Sequence, residues 1–269
     1  MPAWGFSSVP GTFTLSSMPR VSRISITPVK AFALDHPAEV VLTERGVVEN
    51  RRFYIVEPDG TRFRSSANAW PTCFRAAYDA ANEILRVRLP DGSEVEGSAL
   101  GNGERVRSDV SGREVEAEIV DGPWSEPLSE AAGKPARLAR PAREGDAYGH
   151  VASLLSEASV DRLAEEAGDA VDGRRFRMLF TLSGCRAHEE DEWEGRSLRV
   201  GDALLRVGGP IPRCAVTTRD PDTGERDLDT LRLIKGYRGV RDGEAIDFGV
   251  YADVLEPGRV RAGDRVEVV

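Results

Sequence analysis

Apolar and polar positions alternate in short runs along most of the chain from residue 21 onward. "VSRISITPVK" (21–30), "AEVVL" (38–42) and "RFYIVE" (52–57) carry the period-two pattern of half-buried strands, and the last runs into the turn Pro58-Asp59-Gly60. "ILRVRL" (84–89) and "SEVEG" (93–97) flank a second such turn at Pro90-Asp91-Gly92, which predicts a hairpin. The middle changes period. "EPLSEAAG" (126–133) and "SEASVDRLAEEAG" (156–168) predict helices. In the second, Val160, Leu163, Ala164 and Ala167 fall on one face, with Ser156 placed to cap the start and Gly168 to stop it. The polar, Gly-containing "PAREGDAYGHVAS" (141–153) predicts a loop between them. Strand patterns return at "FRMLFTLS" (176–183), "LLRVG" (204–208), "CAVTT" (214–218), "FGVYADVL" (248–255) and "RVEVV" (265–269), interrupted by one helix, "LDTLRLIKGY" (228–237).

These elements predict a mainly β protein with a few helices: a smaller β-rich N-terminal domain over residues 21–124 and a β-barrel-like domain over 125–269. Residues 1–20 hold one charged side chain, Arg20, at their end. They predict a flexible extension, or a start placed too early with Met18 as the true one.

Composition narrows the class of function. A chain of 269 residues buries roughly three-quarters of its unfolded surface and needs no disulfide or structural metal to fold. A net charge of −9 argues against nucleic acid and anionic membrane surfaces as partners, while leaving room for a local cationic pocket. Cys73, Cys185 and Cys214 form no CxxC pair, and His36, His150 and His188 are isolated, so no zinc-type cluster is expected and the chain reads as reduced and cytoplasmic. No segment carries the apolar run of a secretory signal or of a membrane-spanning helix.

Chemistry concentrates in "PIPRCAVTTRDPDTG" (210–224). Pro210 and Pro212 stiffen the approach, Val216, Thr217 and Thr218 favour extended backbone, and Asp220 to Gly224 is turn chemistry. Cys214 is thereby placed at the mouth of a strand beside Arg213, a cation that favours the thiolate. From the residues alone two readings stand: a small buried core thiol, or a sulfur held out to bind something. "HEEDEW" (188–193) reads as a solvated acidic turn with Trp193 tucked into the barrel. Cys185 and Cys73 read as packed thiols, and the histidines receive no role.

The motif "RC-x-x-TT-x-DPDTG", with "RRFRML" (174–179), "SGCRAHEEDEWEG" (183–195) and "LDTLRLIKGYR" (228–238), resembles the MOSC domain, the molybdenum-cofactor sulfurase C-terminal family. "ISITPVKAF" (24–32) and "ERGVVENRRFYIVEPDG" (44–60) look like the β-barrel domain that precedes MOSC in members related to the mitochondrial amidoxime-reducing component and its bacterial counterparts. The resemblance implies a pyranopterin molybdenum cofactor with Cys214 as its protein ligand, and no dependence on pyridoxal phosphate. It also implies a grip on the cofactor's phosphate and pterin by Lys30, Arg51, Arg177 and the Ser156 to Ser159 stretch. The activity it implies is reduction of a small N-oxygenated compound, with electrons from a separate flavoprotein, ferredoxin or cytochrome, since three scattered cysteines hold no iron–sulfur cluster. Alternatives it leaves are a cofactor or sulfur carrier and a specialised relative without molybdenum. The chain departs from the family pattern in Ala31 where Ser is usual after "PVK", in Met178-Leu179 where "RFRPN" is usual, and in the lack of an arginine in "SSANAWP" (65–71).

Overall fold

The computed structural model describes residues 18–64, 66–110, 112–147 and 149–269, so the expected extension lies almost wholly outside the described residues. Seven strands form a nearly closed barrel in the order Arg20–Ile24, Phe180–Ser183, Ala152–Ser156, Asp247–Glu256, Ala203–Pro212, Ser197–Val200 and Val266–Val268. A bridge between Arg20 and Arg265 brings the two edge strands together. Its interior is apolar: Val21, Ile24, Leu154, Phe180, Trp193, Leu205 and Val250 pack there with little or no exposure. The alternation read from the sequence is the physical cause, because every second side chain of a strand points to one face.

The N-terminal half forms its own core from Phe32, Phe53, Phe74, Leu85, Trp124, Leu128 and Leu138. One sheet runs Tyr54–Val56, Arg137–Pro141, Arg113–Val120, Arg105–Val110; another is the meander Arg75–Asp79, Ile84–Arg88, Glu94–Ser98. The expected hairpin is in this meander, with Gly92 at φ +88 donating to the Leu89 carbonyl. Helix α1, Ser125–Ala132, and strand Arg137–Pro141 complete the N-terminal core, so the boundary expected at residue 124 falls inside one packed unit. The halves are interwoven, because Gly258–Arg261 pairs with Glu39–Thr43.

Helix α2, Glu157–Ala167, starts at the expected cap, Ser156, whose Oγ accepts from Ser159 N, and stops at Gly168 in the left-handed region. Helix α3, Thr230–Arg238, packs with α2 over Leu155, Phe176, Ile234 and Phe248. No helix among the described residues is long and apolar enough to cross a membrane.

Three local expectations are corrected. Residues 215–218 form a 3-10 turn, not a strand, because Thr217 Oγ1 is drawn to Thr230 Oγ1 at 2.7 Å and the hydroxyls of Thr217 and Thr218 donate to the Cys214 and Ala215 carbonyls. The strand expected from residue 176 begins at Phe180, since Asp172 caps a 3-10 turn over Gly173–Phe176 and Arg177 turns left-handed at φ +52. Cys73, expected to be packed, is exposed at the end of the turn Trp70–Cys73, whose buried residue is Pro71.

Candidate cofactor site

Cys214 lies two residues beyond the long strand Ala203–Pro212 and caps the 3-10 turn in extended conformation, with φ −125 and ψ 175. The strand passes through both prolines by irregular pairing with Asp247–Glu256, a position where a missing amide donor is tolerated. Arg213 turns inward as an anchor. Its guanidinium donates to the carbonyls of Phe176 (3.1 Å) and Phe248 and to Met178 Sδ (2.9 Å). On the other side, Asp220 Oδ1 accepts from the amides of Asp222 and Thr223, which holds its carboxyl below the usual range and fixes the DPDTG turn. The sulfur is therefore exposed between two pinned segments.

It opens on a cleft of about 450 Å³ between the two halves of the molecule. Lys30, Arg51, Arg62 and Arg64 line it from the N-terminal half, and Arg175, Arg177 and Arg213 from the C-terminal half. Asp109 is the one carboxylate in its wall among the described residues. Four of the expected residues, Lys30, Arg51, Arg177 and Cys214, are thus brought together. Arg51 donates to the Arg177 carbonyl at 2.8 Å and Arg177 to the Phe32 carbonyl at 2.6 Å, an interlock across the two halves. Of the six described non-glycine residues with positive φ, three, Ala31 (+82), Arg51 (+51) and Arg177 (+52), line this cleft. Backbone in that sparsely populated region persists only where the surrounding structure fixes it.

Electrostatics follow from crowding like charges. Burial, with the Arg62 and Arg51 guanidinium groups nearby, lowers Lys30 to about 7, although its Nζ donates to the Ala147 carbonyl at 2.7 Å. Burial and Arg51 also lower Arg177, yet a guanidinium keeps its proton in any protein environment.

Ser156 and Ser159 do not reach the cleft. Both are fully buried: Ser159 Oγ donates to Glu190 Oε1 at 2.8 Å, and the Ser156 amide donates to the same oxygen at 3.3 Å. The positive end of α2 already holds an anion, the protein's own carboxylate. This also corrects the acidic run 188–193: Trp193 is tucked into the barrel as expected, but Glu190 is not solvated, and burial raises its carboxyl. Sequence reasoning missed Arg62, Arg64 and Arg175. The alternation of Arg62 and Arg64 around buried Phe63 was the available signal.

The residues fit a pyranopterin molybdenum cofactor. The exposed thiolate former suits a soft metal, the cations suit a phosphate, and the volume is that of a small-molecule site. Arg175, 8% exposed, gives both Nη atoms to Asp227 and leaves Nε without a partner among the described residues, a donor still to be satisfied. Ala31 lines the cleft without a hydroxyl, and Met178 is buried against Arg213.

The MOSC domain model matches residues 147–267, and the MOSC N-terminal beta barrel domain model matches 18–123. Mitochondrial amidoxime-reducing component 1 of Mus musculus is 35% identical over 120 residues, 42% of this chain and 35% of that protein. Molybdenum cofactor sulfurase of Bos taurus is 30% identical over 97 residues, 34% of this chain and 10% of that protein. The chain thus spans about a third of the length of the amidoxime-reducing relatives it matches. Among solved structures, the YUAD protein of Bacillus subtilis aligns with a TM-score of 0.43 at 13% identity, covering 94% of this chain and 96% of that one. The chain therefore carries a MOSC domain, with a MOSC N-terminal β-barrel domain ahead of it.

Proposed function

We propose that this protein holds a molybdenum cofactor in the Cys214 cleft and reduces small N-oxygenated compounds such as hydroxylamines or amidoximes. The observation that carries the reading is an exposed cysteine facing a cleft lined, among the described residues, by seven cationic side chains and one carboxylate. Cys214 Sγ would ligate the metal, while Lys30, Arg51 and Arg177 hold the phosphate-bearing part. When bound, the cofactor supplies two-electron removal of an oxygen atom; the overall balance is R–NHOH plus two electrons and two protons giving R–NH2 and water. The protein's own part is to bind and orient, with the Arg213 anchor and the Thr217 to Thr230 hydrogen bond fixing the sulfur's position. Electrons come from a separate donor protein, in keeping with the relatives' name as components.

Ala31 favours a second reading, a cofactor carrier, because it lines the wall without a hydroxyl to offer the cofactor. Turnover separates the two. Protein made in a cofactor-competent host and supplied with a reduced viologen dye is expected to convert a hydroxylamine to its amine; molybdenum-loaded protein that converts none is a carrier.

A further inference from the structure

Arg51 and Arg52 are adjacent in sequence and line different clefts. Arg51 belongs to the Cys214 cleft, whereas Arg52 lines a second one, of about 480 Å³, together with Leu100, Arg105, Glu116, Glu118, Arg140 and Ala142. Arg52 is 8% exposed. Its Nη1 donates to the Pro141 carbonyl at 2.7 Å, and its Nε has no partner among the described residues. Of the carboxylates nearby, Glu83 pairs with Arg140 at 2.7 and 2.8 Å and Glu116 with Arg107 at 3.1 Å, while Glu118 lies 4.0 Å from Arg105, a contact that holds neither tightly. A buried guanidinium with one neutral acceptor is under-compensated, because its Nε has given up water without replacement. Beside it Leu100 is 56% exposed, an apolar surface with nothing over it among the described residues.

We propose that this cleft binds a small organic anion, with the oxyanion group on Arg52 and the apolar body against Leu100 and Ala142. Charge and shape make the selection together: Arg52 supplies fixed donors, Arg105 on the rim is held only loosely, and the Leu100 face rewards an apolar substituent. The site is independent of the Cys214 reading, since no residue lines both clefts.

Benzoate is a suitable probe. Titrated into the whole protein, it is expected to shift the backbone amide NMR signals of Leu100, Gly101, Ala117 and Ala142 saturably. Arg52→Gln is expected to weaken that binding by at least about tenfold, the loss of one charge-assisted contact. Ala142→Trp fills the cleft from an exposed position and is expected to do the same without touching the arginine, which keeps the test decisive should Arg52→Gln fail to fold. Inorganic phosphate is expected to shift the same signals more weakly; phosphate binding as tightly as benzoate would overturn the apolar half of the assignment. Shifts confined to the Cys214 cleft, or equal affinity in the parent protein and the Ala142→Trp variant, would overturn all of it.

Discussion

Lys30 is the cleft group whose charge is least secure. Burial and neighbouring guanidinium groups bring it to about 7, while it titrates at 10.5 in an unfolded chain. Two consequences have opposite signs. Between those values the unfolded chain binds the extra proton, so this residue's contribution to folding stability rises with pH. Anion binding needs the ammonium, so it weakens as pH rises through about 7. Sulfate, whose own charge is constant there, is expected to bind the metal-free protein about tenfold more tightly below that point than above it. Calorimetric titration at both pH values checks this, and Lys30→Met should flatten the difference; a pH-independent affinity in the parent protein would show that Lys30 does not meet the anion. At this scale Cys214, Lys30, Arg51 and Arg177 were legible because each sits in a short recognisable run. Ser156 and Ser159 were misplaced for a physical reason: the anion that fills their helix terminus, Glu190, lies about thirty residues away in sequence.

Elements show the same division between local and remote causes. The hairpin turn at Gly92 and the limits of α2 at Ser156 and Gly168 follow from neighbours within four residues, and the sequence pattern located them. Residues 215–218 have strand-forming side chains, yet the Thr217 contact with Thr230, thirteen residues on, winds them into a turn. Remote packing also fixes the DPDTG turn. Gly224 lies at φ +76, and a Cβ there would come within 2.5 Å of Thr72 Oγ1 and 2.7 Å of the Ala69 carbonyl. Gly224→Ala is therefore expected to cost roughly 2–3 kcal/mol and to loosen the wall beside Cys214. Gly236→Ala, inside α3 with open space at its Cβ, is expected to stabilise by roughly 0.5–1 kcal/mol. Urea unfolding midpoints of the two variants check both signs.

For the molecule as a whole, the cleft exists only because the halves are locked together. Arg219 and Arg226 both donate to the Ser66 carbonyl, Arg177 to Phe32, and Lys30 to Ala147, while the strand Gly258–Arg261 extends the N-terminal sheet. A net charge of −9 and a cationic cleft coexist because placement, not total, sets the local field. The mainly β architecture was readable from alternation, but the crossing of Arg137–Pro141 back into the N-terminal sheet was not, since strand patterns carry no record of their partners. The central claim is that Cys214 ligates molybdenum in this cleft, and metal analysis of the parent protein beside Cys214→Ser tests it most directly. After expression in a cofactor-competent host, the account predicts stoichiometric molybdenum in the parent and its loss from a variant that unfolds at the same urea concentration; equal molybdenum in both, or none in either, would contradict it.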